Sequence, residues 1–160
     1  SLSGHLVFST LHTNDAPSTI TRMKDMGIPT FMISATVEAI LAQRLVRRIC
    51  NNCRDEIEPS DEILTQLGFT AEQVAEKKFY KGKGCDHCNN SGYRGRVGLF
   101  ELMILNDHLR EMIMQNASSD EMREQAREYG MVTLRDAGLH NLWEGITTAE
   151  EVIRETTVDG

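Results

Sequence analysis

The chain has 160 residues, 40% of them hydrophobic, and a formal net charge of −7. Its length suits one ordinary domain, or one domain with a small insert, and allows a packed core. The acidic charge argues against general nucleic-acid binding. The uncharged runs, residues 1–14 and 26–37, are shorter than the roughly 20 apolar residues of a membrane helix. Since neither end has the pattern of a signal sequence, we expect neither a membrane span nor an extracellular location.

The opening residues predict a buried strand. Leu6, Val7 and Phe8 form a short apolar run of the β-favouring type, which predicts a strand over Gly4–Leu11. Residues 12–15 are of the turn and helix-cap types, so the strand should end there. This part of the sequence offers the strand no partner strand of its own.

Two helices are predicted next. Pro17 suits the first turn of a helix that runs to Met26 and stops at Gly27. A second helix should begin near Thr30, and its apolar face should hold four residues at helical spacing: Ile33, Val37, Ile40 and Leu41. Residues 44–49 then favour a strand.

The rest of the chain divides into a polar middle and a helical end. Residues 54–84 are mostly polar, and Thr70 with Gln73 predicts a short capped helix over 71–77. Residues 93–105 favour a strand or a hairpin. From Asn106 onward, apolar stripes predict four helices. Capping-box pairs open two of them: Ser118 with Glu121, and Thr148 with Glu151.

Four cysteines form the strongest local signal. Cys50 with Cys53, and Cys85 with Cys88, are two Cys-x-x-Cys pairs, and each tight turn can direct both thiolates to one metal ion. Four sulfur ligands suit a closed, structural zinc site. Two disulfides or four free thiols are the alternatives, and His87 is an alternative ligand. The interval between the pairs is longer than in a zinc ribbon, which indicates an insert.

Two histidines flank the predicted opening strand. His12 would emerge at the strand's carboxyl end, the edge at which open α/β sheets bind ligands, and an imidazole there can hydrogen-bond a phosphate oxygen. A structural role is the alternative, since isolated histidines commonly have one. The spacing of His5 and His12 is not that of a local metal-binding pair.

Several ordered motifs resemble those of one protein family. Residues 4–16, GHLVFSTLHTNDA, resemble the His box of the secretion-ATPase superfamily, and residues 42–50, AQRLVRRIC, follow at the expected place. The cysteine pairs with residues 92–101, GYRGRVGLFE, resemble its zinc-bearing branch, the type II secretion and type IV pilus assembly ATPases of the GspE/PilB type. Residues 145–152, GITTAEEV, are similar to that family's C-terminal end. The resemblance covers essentially the whole chain.

The resemblance implies an α/β fold, the C-terminal part of a RecA-like P-loop NTPase domain. It assigns residues 1–49 to the ATPase domain, 50–105 to a tetracysteine zinc subdomain with following strands, and 106–160 to a helical subdomain. The family hydrolyses ATP with Walker A and Walker B motifs, but the sequence holds no G-x-x-x-x-G-K-[ST] loop. We therefore expect a C-terminal fragment of a motor ATPase that is inactive on its own.

The resemblance also implies roles for single residues. His5 and His12 match the His-box histidines, which sense or polarise the γ-phosphate region of ATP. Gln43 and Arg44 are placed near the nucleotide, although Arg44 suits a surface or an interface equally well. Four more arginines have two interpretations each. Arg47 and Arg48 are either solvent-facing residues or subunit contacts. Arg94 and Arg96 are either phosphate binders or a surface pair beside a turn.

The implied cofactors are structural zinc and, in the intact parent protein, ATP with Mg²⁺. The implied partners are further copies of the chain in a hexamer and inner-membrane platform proteins of the pilus or secretion machinery. The implied location is the cytoplasm, at the inner membrane, and we expect no nucleic-acid partner. Two alternatives stay open: a zinc-stabilised structural or interaction domain, and a zinc-ribbon module that binds nucleic acid through the arginines near the cysteines.

Overall fold

The computed structural model describes residues 2–157. They form two compact units, one of residues 2–43 and 100–133 and the other of residues 44–99 and 134–157. The elements in chain order are α1 (Ala16–Asp25), α2 (Thr30–Thr36), β1 (Ala39–Ile49), β2 (Arg54–Ile57), α3 (Asp61–Leu67), β3 (Phe79–Gly82), β4 (Tyr93–Ile104), α4 (Asp107–Met114), α5 (Ser119–Glu128), α6 (Leu134–Trp143) and α7 (Ala149–Thr156). β1 pairs with β4 and β2 with β3, so the expected mixed α/β class is confirmed. In the part of the chain that is described, no helix is long and apolar enough to cross a membrane.

The predicted opening strand is wrong for this chain. Residues 5–11 have no regular secondary structure, and Leu6, Val7 and Phe8 are 82%, 64% and 87% exposed. Neither of the two sheets in the described chain includes this segment. A β-favouring apolar run becomes a buried strand only where a neighbouring strand accepts its backbone hydrogen bonds, and none of the described strands does so.

The first predicted helix is confirmed as α1. Asp15 caps it, because its carboxylate accepts a 2.8 Å hydrogen bond from the backbone N–H of Ser18. Pro17 lies in the first turn, where the missing backbone N–H removes no helical bond. The helix ends at Asp25, and Gly27 follows with a left-handed φ of 87°, in agreement with the predicted stop.

The second predicted helix is shorter than expected. It ends at Thr36, and Val37 already has extended backbone angles, φ −82° and ψ 123°. The guanidinium of Arg110 donates a 2.9 Å hydrogen bond to the Val37 carbonyl oxygen, an acceptor that a continuing helix would use internally. The chain then enters β1, so Ile40 and Leu41 lie on a strand and the predicted apolar helix face is wrong beyond α2.

The first unit is built mainly from helices. α1 contacts α5, and α2 contacts α4. β4 follows a strand period, because Glu101 and Met103 are buried while Phe100, Leu102 and Ile104 are exposed. The helices supply most of the buried apolar residues of this unit: Ile20, Ile33, Leu109, Ile113, Met122 and Ala126.

The second unit contains elements that the sequence did not predict. β2 and β3 pair antiparallel over residues 54–57 and 79–82. α3 is capped by Ser60, whose hydroxyl oxygen accepts from the Ile63 N–H, and it ends at Gly68 with a left-handed φ of 82°. The predicted Thr70–Gln73 pair forms both of its hydrogen bonds, but residues 71–76 are turns and the predicted helix is wrong.

The segment between the cysteine pairs has its own core, although its sequence is mostly polar. Trp143 of α6 makes edge-on ring contacts with Phe69 and Phe79, at centroid distances of 5.8 and 5.5 Å. α7 contacts both α3 and α6. The buried members of this cluster come from the segment and from the C-terminal helices: Leu64, Leu67, Val74, Phe79, Leu142, Ala149 and Val152.

The four predicted C-terminal helices are confirmed as α4 to α7. Ser118 and Glu121 form the complete capping box that was predicted. Thr148 caps α7 through the N–H of Glu151, but the Glu151 carboxylate binds Arg47 instead of reaching back to the cap. α4 and α5 belong to the first unit and α6 and α7 to the second. The three-part division at residues 49 and 105 stays a prediction.

Candidate functional site

The cysteine cluster, defined as Cys50, Cys53, Cys85 and Cys88, gathers four sulfurs within 4.8 Å of one another. The first pair follows β1, and the second lies in a short 3₁₀ turn after β3. The β2–β3 pairing brings the two pairs together, and the Lys83 N–H donates to the Cys53 carbonyl oxygen at 3.0 Å. The sequence-predicted ligand set is therefore assembled by backbone pairing.

The backbone approaches itself closely at the cluster. A Cβ on Gly82 would lie 2.1 Å from the carbonyl oxygen of Gly92, a residue that itself has a left-handed φ of 78°. The Cys50 N–H donates to the same carbonyl oxygen at 2.9 Å. Any side chain at position 82 would push these loops apart, so the two glycines set the distance between the cysteine pairs.

N–H groups donate to three of the sulfurs, and the Cys53 sulfur accepts from the Gly84 N–H at 3.3 Å. The Gly92 and Cys85 N–H groups donate to the Cys88 sulfur at 3.2 and 3.3 Å, and the Asn52 amide donates to the Cys85 sulfur at 3.3 Å. Burial raises the pKa of Cys88, but the backbone donors outweigh it and lower the pKa to about 6. The Asn52 amide lowers the pKa of Cys85, whereas burial raises the pKa of Cys53 to about 11. Such donors favour the thiolate, the form that binds metals.

The four sulfurs fit a tetrahedral thiolate site. The Cys50–Cys85 and Cys53–Cys88 sulfur pairs are 3.8 Å apart, and the Cys85–Cys88 pair is 3.7 Å apart. A metal–sulfur bond of about 2.3 Å gives a tetrahedral edge of about 3.8 Å. All four cysteines are free, and His87 is exposed and outside the cluster. The cluster can hold a metal ion, and sulfur-only tetrahedral sites are typical of zinc or iron.

The predicted His-box residues lie at the surface of the first unit. His12 lines a shallow cleft of about 290 Å³ beside α1, together with residues that include Ser18, Thr21 and Arg22. His5 is exposed, and its Nδ1 forms a 2.9 Å hydrogen bond with the Ser3 hydroxyl. His5 is not among the residues that line the His12 cleft. The roles of both histidines at a nucleotide stay predictions.

The other two residues that were placed near the nucleotide lie on β1. Gln43 is exposed and Arg44 is half-buried. Neither lines the cleft that contains His12. Their contact with a nucleotide also stays a prediction.

Two buried carboxylates, which the sequence did not predict as a unit, hold the turn that follows His12. Asp15 is 2% exposed and accepts from the Arg123 guanidinium at 2.5 and 3.1 Å. Glu101 is 1% exposed and accepts a 2.7 Å hydrogen bond from the Ala16 N–H. Burial raises the pKa of Asp15, but the bonds from Ser18 and Arg123 outweigh it and lower the pKa. A glutamate at a core-facing position of an apolar strand was the available signal for Glu101.

A second buried carboxylate network, centred on Glu151, includes Arg47. Glu151 is 1% exposed and accepts from the backbone N–H of Arg47 at 2.8 Å, from its guanidinium at 2.7 Å, and from Arg154 at 2.8 Å. The Arg47 guanidinium also lies 4.0 Å from the ring centroid of Tyr93. Burial raises the pKa of Glu151, and the Arg47 bonds outweigh it and lower the pKa. Arg47 is thus exposed to solvent and also bound to α7, and its interpretation as a solvent-facing residue or a subunit contact stays a prediction.

Comparison with known proteins finds a family model that matches nearly the whole chain. A family model described as type II/IV secretion system protein matches residues 1–154.

The chain belongs to this family. The resemblance stated from the motifs is therefore confirmed, and the matched region fits the expected C-terminal part of a RecA-like ATPase domain.

Relatives in two machineries match this member of the type II/IV secretion family. A protein named type IV pilus assembly ATPase PilB is 46% identical over 97% of this chain in Thermus thermophilus and 44% identical over 99% of it in Myxococcus xanthus. The type II secretion system protein E of Pseudomonas aeruginosa is 43% identical over 98% of it. The chain spans only 17%, 28% and 30% of these relatives, in the same order.

Proposed function

We propose that this chain is part of a motor ATPase that drives type IV pilus assembly or type II protein secretion. The observation that carries the proposal is the match to relatives over nearly the whole chain. A relative named as a pilus assembly ATPase is 46% identical and one named for type II secretion is 43% identical. Both processes are named because the two groups match at similar identity.

In this proposal, His12 acts on ATP that is bound by a Walker A loop elsewhere in the parent protein. Its imidazole is exposed in an open, polar cleft beside the first turn of α1. An imidazole N–H can donate to the charge that grows on phosphoryl oxygens in the transition state. His5 has a smaller, structural part in the proposed His box, and Gln43 with Arg44 contributes to the surroundings of the nucleotide and its Mg²⁺.

The metal in the proposed parent protein is zinc with a structural role. Four protein thiolates fill all four tetrahedral positions, so no open position remains for a substrate or water. When bound, zinc links the two loops and compensates the charge of the thiolates. The sulfur separations of 3.7 and 3.8 Å support this assignment.

The proposed partners follow from the family and not from surfaces of this chain. The parent protein assembles as a hexamer, lies in the cytoplasm and contacts platform proteins of the inner membrane. The isolated chain does not hydrolyse ATP, because the phosphate cradle and the magnesium ligands of this class are not in its sequence. Turnover above background in the isolated chain, surviving removal of trace contaminants, would contradict this part of the proposal.

Steady-state ATPase measurements on the full-length protein test the function. His12→Ala should lower kcat by roughly 10- to 1000-fold, the usual effect of removing one transition-state donor, and should change the KM for ATP much less. The matched control is His108→Ala, since His108 is an exposed histidine outside the His12 cleft. Near wild-type turnover of His12→Ala, with the fold intact by circular dichroism, would leave His12 with a structural role only.

A further inference from the structure

A buried glutamate of β4 contacts the first turn of α1, which begins shortly after His12. Glu101 is 1% exposed, and its Oε1 accepts a 2.7 Å hydrogen bond from the backbone N–H of Ala16, a residue that is itself fully buried. The two residues are 85 positions apart in the sequence but belong to the same unit. The contact therefore joins the segment that carries His12 to a distant strand.

Glu101 supplies an acceptor where the strand otherwise faces the core with apolar residues. Leu99 and Met103, the neighbouring core-facing residues of β4, are 1% and 0% exposed. The first N–H groups of a helix have no acceptor within the helix, and a buried one cannot turn to water instead. Because a hydrogen bond is short and directional, the Glu101 carboxylate fixes the first turn of α1 relative to β4.

Hydrogen bonds extend this constraint from α1 back to the residue next to His12. The Thr13 hydroxyl lies 2.8 Å from the Thr19 hydroxyl of α1, and the Thr19 hydroxyl donates to the Asp15 carbonyl oxygen at 3.1 Å. On the other side of His12, residues 5–11 have no regular secondary structure. In the described chain, the position of His12 is therefore set mainly by its connection to α1.

A group that stabilises a transition state depends strongly on its position, and a misplacement of about 1 Å can slow a reaction about 100-fold. We propose that Glu101 is a positioning residue for His12. It holds the first turn of α1 through the Ala16 N–H, and this turn sets where the His12 imidazole lies in its cleft. Glu101 acts only through His12, so its role rests on the function proposed for that histidine.

Steady-state ATPase measurements on variants of the full-length protein test this role. Glu101→Met removes the acceptor but keeps an unbranched side chain, so kcat should fall about 10- to 100-fold while the KM for ATP changes little. Glu101→Gln keeps an oxygen that accepts from the Ala16 N–H and should retain most of the turnover. The matched control is Met103→Ala, which leaves a cavity beside the same strand and should lower the unfolding midpoint without lowering kcat.

A double variant separates positioning of His12 from a general loss of packing. If Glu101 acts through His12, adding Glu101→Met to His12→Ala should change kcat by less than about 2-fold, because the two effects are not independent. Each variant is first checked for its fold by circular dichroism at the assay temperature. If Glu101→Met does not fold, Glu101→Asp takes its place in both measurements, since it keeps the carboxylate but withdraws it from the Ala16 N–H by one methylene.

Two results would overturn the role of Glu101 alone. One is wild-type kcat in the Glu101 variant that lacks the contact, and the other is a double variant in which the two losses of kcat multiply. In both cases a slow His12→Ala variant would leave the proposed function intact. Wild-type turnover of His12→Ala would instead contradict the function proposed for His12, and the role of Glu101 with it.

Discussion

The cysteine cluster and the opening segment, residues 4–15, carry the most specific motifs of the chain, but the structure treats them differently. The cluster is complete within the chain, because its four sulfurs lie within 4.8 Å of one another. The opening segment exposes its apolar residues, and Phe8 is 87% exposed. A metal site needs only its ligands, whereas a buried strand needs neighbouring strands on both sides. A motif therefore predicts local structure best when all of its partners are in the same chain.

Removal of the metal is the strongest way to test the completeness of the cysteine cluster. Small zinc modules gain on the order of 10 kcal/mol of folding free energy from their metal. Chelation should therefore increase amide hydrogen exchange in residues 50–100 much more than in α4 and α5, which belong to the other unit. The α4–α5 part of the tail, with its buried Leu109, Ile113 and Met122, is the internal reference.

Elemental analysis of freshly purified protein provides the companion measurement. We expect close to one zinc per chain, and Cys88→Ser should lower that content. Four freely titrating thiols with no near-stoichiometric metal would contradict the proposed zinc site and would leave the cluster as a set of reduced cysteines.

Glu151→Gln should have the next largest effect, in the same unit as the cysteine cluster. The substitution leaves the Arg47 and Arg154 guanidinium groups without their buried carboxylate, which typically costs about 2–4 kcal/mol. The unfolding midpoint should fall by several degrees in a thermal scan. Glu150→Gln, at the exposed neighbouring position, should leave the midpoint unchanged. Equal midpoints for the two variants would show that the network contributes little.

Asp15→Asn should have a smaller effect, because asparagine can still cap α1. The variant loses the ion pair with Arg123, so we expect a cost of about 1–3 kcal/mol and a flatter dependence of stability on acid. The exposed carboxylate of Asp25 provides the matched control, Asp25→Asn.

The acid dependence has a definite sign. The folded-state pKa of Asp15 is lowered from its ordinary 3.8, mainly because the Ser18 and Arg123 bonds outweigh burial. Its contribution to stability is complete above pH 3.8 and is lost as the pH falls toward the folded-state pKa. Thermal midpoints below pH 4 should therefore drop more steeply in the wild type than in Asp15→Asn. Parallel curves for the two proteins would contradict this role.

The sequence predicted elements best where the signal was local. The caps at Asp15 and Ser118 and the positions of the cysteines needed only neighbouring residues. The end of α2 could not be predicted, because it depends on a hydrogen bond from Arg110 to the Val37 carbonyl oxygen, and Arg110 is far from α2 in the sequence. The core around Trp143 was hidden for the same reason, since its apolar residues are scattered through a polar segment and pack against α6 and α7.

In the candidate site, too, the sequence predicted the features that depend on neighbouring residues and not those that depend on distant ones. The four cysteine ligands followed from spacing alone, and the family followed from ordered motifs. Two ion-pair networks could not be predicted from the sequence, that of Asp15 with Arg123 and that of Glu151 with Arg47. Each network joins residues more than 100 positions apart. Their sequence signal was weak: an aspartate that caps α1, and a glutamate in the first turn of α7.

The smallest expected effect on stability is that of a substitution in the opening segment, and it tests whether this segment is unpacked in the isolated chain. Phe8→Ser should leave the unfolding midpoint of the isolated chain unchanged within about 2 °C, because the ring is 87% exposed and removes almost no surface from water. The matched variant is Phe79→Ser, whose ring is 3% exposed and packs against Trp143, and it should lower the midpoint strongly. A large loss of stability in Phe8→Ser would mean that the segment is packed in solution. In the full-length protein, the same substitution should be destabilising if neighbouring strands cover the segment there, as the secretion-ATPase resemblance implies.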